Sequence, residues 1–429
     1  MKENKNGQQK DGKPRINLIL RKTKKWKTKM ENKQHYLFTS EVVSPGHPDK
    51  CADIISDSIV DALLINDKNS RVASEVFVAG KHVIVGGEVA SKNHPDYVEI
   101  VKNALIKIGY DGKSAFSKEQ CLYPEDVQVQ VLLNQQSPDI NQGVDQTSGE
   151  IGAGDQGIMF GFASSETKEY MPAAIMFARM LSDKVYDYAL KNNQKLGVDI
   201  KTQVTVDYGN KANFENCKPQ KIHTIVVSAP STESMPIGEV RTLIKSLIDD
   251  AGLPTELYDP NDTIIHINPT GRYVNHSPLH DSGLTGRKLI VDSFGGYSPI
   301  GGGAQSSKDY TKVDRSGLYA GRWIAKHIVA SGLAKKCSVQ LSYAIGVAKP
   351  VSVSVDTFGT HTSVDDDVLS AFVLNTFSLT PKWITDKFAL DKPSPDTFLY
   401  ADVAARGQVG QSDYPWEKLD SLEIFEALK

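Results

Sequence analysis

The sequence predicts an α+β fold of three similar units around a pseudo-threefold axis. Three observations predict it. An order of helix, strand pair, helix and strand recurs three times along the chain. The strand runs alternate Val, Ile and Thr with polar residues, the period-two pattern of half-buried strands. Each closing strand is entered through a Pro and an Asp.

Each unit opens with an amphipathic helix: Pro48–Leu64, Met171–Leu190 and Asp314–Ala330. Next come the strand pairs "RVASEVFVAG" with "KHVIVGGEVA", "KTQVTVDYGN" with "KIHTIVVSAP", and "CSVQLSYAIGV" with "PVSVSVDTFG". Second helices are expected over Tyr97–Ile108, Ile237–Ala251 and Asp366–Phe377. The closing strands are "PEDVQVQVLLNQ", "PNDTIIHINPTG" and "PDTFLYADVAARG", whose entry residues Asp126, Asp262 and Asp396 are 136 and 134 residues apart. Such units make antiparallel-rich sheets with helices over one face. A period this long excludes a solenoid.

At 429 residues the chain is long enough for about three domains. The divisions read as a basic tail over 1–34, an N-terminal domain over 35–134, a mobile active-site loop over 135–157, a central domain over 158–272 and a C-terminal domain over 273–429. A plain linker is the alternative for 135–157. The net charge of -3 hides an asymmetry, because residues 1–34 hold 12 basic and 3 acidic residues while the remainder holds 37 and 49. An acidic body argues against nucleic acid as a partner. The tail's apolar patch "INLIL" is too short for a membrane span or a secretory core, and Met30 offers an alternative start. Four scattered cysteines without a C-x-x-C point to a reducing, cytoplasmic setting.

Chemistry begins at "GHPDKCADIISDSIVDAL". Asp49, Asp53, Asp57 and Asp61 recur every fourth residue along one helix face. That row reads either as a solvated face or as one offset by something basic or metallic. Asp49 stands apart, sharing the first turn with His47 and Pro48, where free amides favour anions. A carboxylate, an imidazole and exposed N–H groups at one helix start suit a metal–phosphate complex. "GGGAQSSKDYTKVDRS" brings three glycines with Lys308 and Lys312, and runs into Asp314 at the start of the third unit's helix. It resembles a phosphate cradle without the G-K-[ST] of a Walker A loop. On glycine content alone a surface loop fits equally well. "GLTGRK" adds Arg287 and Lys288, and Arg can grip phosphate oxygens in a fork. Two first-turn carboxylates near two basic loops fit a magnesium–polyphosphate site.

"GHPDK", "GAGDQG", "INPTGR", "GLTGRK", "GGGA" and "KVDRS" occur in the order seen in the S-adenosylmethionine synthetase (methionine adenosyltransferase) family, which the chain resembles from about Tyr36 to Trp416. The resemblance implies three α+β domains about a pseudo-threefold axis and a homodimer or dimer of dimers with active sites at the interface. It implies that ATP and L-methionine are the substrates: the methionine sulfur attacks ribose C5′, and the released triphosphate is hydrolysed to pyrophosphate and phosphate. Two Mg2+ per site and K+ are the implied cofactors. A neutral thioether needs no general base, so the lack of a nucleophile–base pair is expected.

Matched motif to motif, the resemblance implies that His47, Lys308 and Arg287 are catalytic. Asp49 and Asp314 would hold magnesium, and Glu75 potassium; for Glu75 a strand residue facing solvent is the alternative. Glu88, Gln136, Asp281 and Lys312 would contact methionine. Asp199, Lys201, Arg272, Tyr273, Asp281, Arg287, Lys288, Ala304 and Lys308 would line the ATP site with His47. Asp155 would brace the neighbouring loop. The chain departs from the family at "NHSP" (Asn275–Pro278), where Ile-Gly-Gly-Pro is usual. It departs again at Gln305–Ser307, in place of Phe-Ser-Gly, and at Asp402–Gly410, where a Gly-His-Phe-Gly run is common. A silent paralogue that binds nucleotide and a kinase or P-loop ATPase are the rival classes. Retention of the leaving-group residues argues against the first, and the missing G-K-[ST] against the second.

Overall fold

The computed structural model describes residues 35–135 and 150–429. The expectations for the tail, for Gln136 and for most of the 135–157 loop therefore lie outside the described residues.

The first unit comprises β1 (Leu37–Val43), α1 (Pro48–Asn66), β2 (Arg71–Ala79), β3 (His82–Ala90), α2 (Tyr97–Ile108) and β4 (Gln128–Gln135). The second comprises β5 (Gly157–Ser164), α3 (Ala173–Lys191), β6 (Lys201–Asp207), β7 (Lys221–Ser228), α4 (Ile237–Asp249) and β8 (Ile264–Ile267). The third comprises β9 (Gly283–Leu284), α5 (Val313–Ala330), β10 (Lys336–Tyr343), β11 (Ser352–Asp356), α6 (Asp366–Thr376), α7 (Pro381–Phe388) and α8 (Tyr400–Arg406). Local chemistry sets the helix ends. Asp96 caps α2 by accepting from the Val98 and Glu99 amides, and Gly109 ends it in the left-handed region.

Three sheets result, ordered β4-β3-β2-β9, β1-β6-β7-β8 and β11-β10-β5. Each is built on an antiparallel pair, and in the first two a closing strand adds in parallel. The strand before each unit's first helix leaves its own unit. β1 pairs with β6, β5 with β10, and β9 with β2, so first passes to second, second to third and third to first. This cyclic exchange obeys the threefold pattern, and short-range alternation could not reveal it. Among the described residues no helix is long and apolar enough to cross a membrane. All four cysteines are free and buried.

Two expectations need correction. The third unit has no closing strand, because "YADVAAR" forms the helix α8. Its alanines favour helix where the other two closing runs alternate Val and Ile. The first two units lock the closing strand with equivalent ion pairs, Lys81–Asp126 at 3.1 Å and Lys221–Asp262 at 2.7 Å. Asp396 makes no such pair among the described residues. Instead, Asp61 of α1 accepts the Tyr400 and Ala401 amides, each at 2.9 Å, and so caps the start of α8 from outside.

The second correction concerns the acidic row, which is not solvated: Asp53 and Asp57 are 0% exposed and Asp61 6%. Each carboxylate clasps a different segment. Asp53 accepts from Lys50 and the Gly286 amide, and Asp57 from Arg315 and the Ser307 amide. Burial pushes Asp53 up to about 6 and Asp61 to about 7, against the hydrogen bonds that hold them down. Asp61→Ala should therefore cost about 1–3 kcal/mol, the penalty for orphaning two buried amides. Thermal denaturation checks this; an unchanged midpoint would mean that the short α8 holds its first turn unaided.

Candidate active site

Helix α1 begins at one pole of the site. His47 occupies its N-cap, 4% exposed, and its Nδ1 accepts the Asp49 amide at 3.1 Å. That bond leaves the imidazole proton on Nε2. Burial lowers the ring's pKa to about 3, helped by Lys288, Lys201 and Lys50 against Asp49. The ring is neutral at any working pH and faces a cationic surround. Asp49, 1% exposed, accepts from the Leu284 amide at 3.0 Å, Lys288 Nζ at 2.5 Å and Arg287 Nε at 3.2 Å. Burial pushes its carboxyl up, but the bonds from Lys288 and Leu284 outweigh that and leave it below the ordinary range. Gly283 lets β9 cross the helix start, since a Cβ there would lie 2.0 Å from the Pro48 carbonyl oxygen.

The second pole is the turn into α5. Lys308 Nζ pairs with Asp314 at 2.5 Å. A Cβ on Gly303 would sit 2.2 Å from the Asp314 carboxyl carbon, so that glycine admits this carboxylate. Lys312 pairs at 2.6 Å with Asp309, a fully buried carboxylate that also accepts the Val72 amide and the Thr311 amide and hydroxyl.

The acidic row brings these poles together. Asp49 holds Leu284, Asp53 holds Gly286 and Asp57 holds Ser307, so successive helical turns bind the "GLTGRK" and "GGGAQSSK" loops side by side. Gly286 is packed so closely on Ala304 that a Cβ would fall 2.6 Å from the alanine's own. A cavity of about 440 Å³ opens beside them, lined by Glu75, Phe77, Gly86, Leu284 and Lys308. Glu75 is exposed on β2, on the sheet face opposite the helices, and so lines that cavity rather than bulk solvent alone.

The other expected residues are more dispersed. Asp199 accepts from Tyr273 Oη at 3.0 Å and the Ser277 amide at 3.3 Å; burial lifts it to about 6, and its Oδ1 is buried with no hydrogen-bond partner among the described residues. Lys201 follows it at the start of β6 and is exposed, yet its charge reaches His47. Arg272 is exposed and donates to the Glu233 carbonyl, while Asp281 is exposed and accepts the Ser282 amide. Glu88 sits half-buried on β3 opposite Ala73 and Asn134. Asp155 accepts the next amide, Gln156 N–H, at 2.7 Å, its one hydrogen bond among the described residues.

Asp49 and Asp314 make no direct contact, and among the described residues no three His, Cys, Asp or Glu side chains converge to cage a metal. Single carboxylates beside cationic loops fit magnesium, which takes one or two carboxylates and completes its shell with phosphate and water. The departures are structural facts as well. Ser277 (φ 74°) and Ser307 (φ 82°) stand in the left-handed region that favours glycine. Ser277 nonetheless donates its amide to Asp199, and Ser307 to Asp57. The sequence reading missed Asp57, Arg315, Asp309 and Asp292 as supports. The period-four row announced Asp57; nothing local announced the other three.

Three family models match the chain in register: "S-adenosylmethionine synthetase, N-terminal domain" over residues 35–138, "central domain" over 150–273 and "C-terminal domain" over 276–418. Among solved structures, one described as an unusual S-adenosylmethionine synthetase from Campylobacter jejuni is 73% identical. The match covers 92% of this chain and 99% of that one, with a TM-score of 0.88.

Proposed function

Because the chain belongs to the S-adenosylmethionine synthetase family and makes S-adenosyl-L-methionine from ATP and L-methionine, we propose that the two clasped basic loops hold the triphosphate while sulfur displaces it from C5′. The observation that carries this reading is the side-by-side placement of Lys288 and Arg287 with Lys308, each lysine ion-paired to a first-turn carboxylate. Those cations stand where negative charge gathers as the C5′–O bond breaks, and preorganised charge of this kind supplies much of a rate enhancement. Alignment of sulfur, carbon and leaving oxygen supplies another share, roughly 7–11 kcal/mol at best.

His47 acts as a hydrogen-bond donor. Its Nδ1 is occupied by the helix start, which leaves Nε2–H as the group that would donate to the leaving oxygen without transferring its proton. Asp199, Lys201, Arg272, Tyr273, Asp281 and Ala304 line the nucleoside side, and the lone Oδ1 of Asp199 is an acceptor ready for a ligand N–H or O–H. Glu88, Gln136, Asp281 and Lys312 take methionine. Magnesium at Asp49 and Asp314, with potassium at Glu75, would add positive charge along the phosphates. The triphosphate is then hydrolysed to pyrophosphate and phosphate.

The uncovered face of the first sheet supports a homodimer, or a dimer of dimers, closing over the site. Phe77 and Leu132 are exposed there, and Glu75 shares the alternation of Phe77 along β2. Purified protein given ATP, L-methionine, magnesium and potassium should form the sulfonium, phosphate and pyrophosphate. ADP as the nucleotide product would overturn the reading.

His47→Asn tests the donor assignment. Asn can still cap α1 but cannot present the Nε2 proton. Single-turnover sulfonium formation should slow by roughly 10²-fold, with ATP binding within a few-fold of the parent. Since the ring titrates near 3, the parent rate should show no limb near pH 6.5 from His47. An unchanged single-turnover rate would remove the ring from the chemistry.

A further inference from the structure

We propose that Gln408 is a positioning residue that fixes the spacing between the two phosphate-holding loops. It lies in a segment where the chain departs from its family, and it touches a second departure, the Gln305–Ser307 turn. The inference deepens the reading of Lys288 and Lys308 given above and rests on it.

Gln408 is 0% exposed, and every polar group it carries is engaged. Its amide N–H donates to the Asp292 carbonyl at 2.9 Å, on the segment just after Arg287 and Lys288. Its carbonyl accepts from Trp416 Nε1 at 2.9 Å. Its side-chain Oε1 accepts from Tyr319 Oη at 2.5 Å, and its Nε2 donates to Ser306 Oγ at 3.3 Å. The Tyr319 ring stacks on Trp416 at 3.7 Å, with planes 5° apart, so the hydroxyl that orients the amide is itself fixed. With Oε1 assigned to that hydroxyl, Nε2 must face Ser306.

One side of Gln408 thus holds the Lys288 loop through Asp292, whose carboxylate also receives Lys50 of α1 at 2.6 Å. The other side holds Ser306, two residues before Lys308. That serine also hydrogen-bonds Asp57, which receives the Ser307 amide at 2.8 Å. Ser307 sits at φ 82° without being glycine, so the turn needs outside partners to keep a conformation it would not choose. Asp57 supplies one from α1, and Ser74 donates its amide to the Ser307 carbonyl from β2. Gln408 supplies the link that ties this turn to the opposite loop. It is fully buried and does not line the cavity beside those loops, so it acts through them.

The test is Gln408→Met, which keeps side-chain volume and both backbone bonds but deletes both side-chain bonds. kcat should fall by roughly 10- to 10²-fold, the scale of a misplaced reacting group, while KM for ATP and methionine stays within about threefold, since transition-state alignment is what is lost. Ser306→Ala should reproduce much of the loss, and the double variant should be no slower than the slower single one. Gln408→His, which retains a donor and an acceptor, should recover most of the rate. Amide exchange over 303–308 should quicken in Gln408→Met. If Gln408→Met does not fold, Ser306→Ala carries the test from the other side.

A Gln408→Met protein with parental kcat overturns the inference, as does a fall in melting temperature without a change in kcat. Strictly additive losses for the two singles overturn it too. Lys308→Met separates the layers. If it lowers turnover sharply while Gln408→Met keeps the parental kcat, only the positioning inference fails. If Lys308→Met keeps both the parental kcat and the parental KM for ATP, the phosphate reading fails and takes this inference with it.

Discussion

Asp49→Asn should lower kcat by roughly 10²- to 10³-fold and raise the magnesium concentration needed for half-maximal rate, with little change in folding. Asparagine keeps the shape and can still accept the Leu284 amide, so β9 should remain seated on the start of α1. What disappears is the charge that orders Lys288 and Arg287 and that a magnesium ion would share. Those two cations are 19% and 51% exposed, so once released they reach water, and losing such pairs costs about 1 kcal/mol or less. Activity and stability should therefore separate cleanly.

The pH dependence of that small cost has a definite sign. The Asp49 carboxyl is held below its ordinary range, so its contribution is present above the unfolded value of 3.8 and vanishes as pH falls through the folded one. The stability gap between parent and Asp49→Asn should be flat from pH 5 to 8 and close in acid. Turnover equal to the parent's at saturating magnesium would take Asp49 out of the metal site.

The repeats were legible because helices and hairpins are local. α1, β2, β3 and α2 lie within two or three residues of where alternation and caps put them. The exchanged strands were not legible, because β9 is two residues long and its partner is Phe77 and Val78, some two hundred positions earlier. α8 was misread because Pro-Asp entry chemistry matches the other closing runs, while the deciding contact comes from Asp61 in another unit.

A similar division holds within the site. Charged residues announced themselves by type, and Lys308 and Asp314 meet as two basic-loop and helix-start residues should. The acidic row was visible, but the choice between a solvated face and one offset by basic partners was not. Period alone cannot tell whether the partners of four aligned carboxylates are waters or the amides of distant loops. Burial decides it, since an unpartnered carboxylate at 0% exposure would be prohibitively costly. Asp309, Asp292 and Gln408 carry no local signature at all, for their use depends on which carbonyl, amide or hydroxyl the fold brings alongside.

Lys308→Met should be the most damaging single change after Asp49→Asn, by roughly 10²- to 10³-fold in the rate of sulfonium formation. The turn that carries Lys308 does not depend on its ammonium. Its carbonyl accepts from Arg315 Nη1 at 2.9 Å, its backbone bridges Ala73 of β2, and Asp57 holds the residue before it. Methionine preserves the stem's packing, so the loop should keep its place. The structural cost falls on Asp314, 12% exposed, which loses its partner at 2.5 Å; an orphaned carboxylate there should cost about 1–3 kcal/mol. The partition between KM and kcat reveals when the charge acts. An ammonium that merely held ATP would, on removal, raise KM and spare kcat. One that meets charge arriving on the leaving chain would, on removal, lower kcat. The pairing with Asp314 favours the second outcome, because an ammonium already neutralised at rest gains little from binding substrate until negative charge moves toward it. A single-turnover rate matching the parent's, with only KM for ATP raised, would make Lys308 a tether and return the leaving-group work to Arg287 and Lys288.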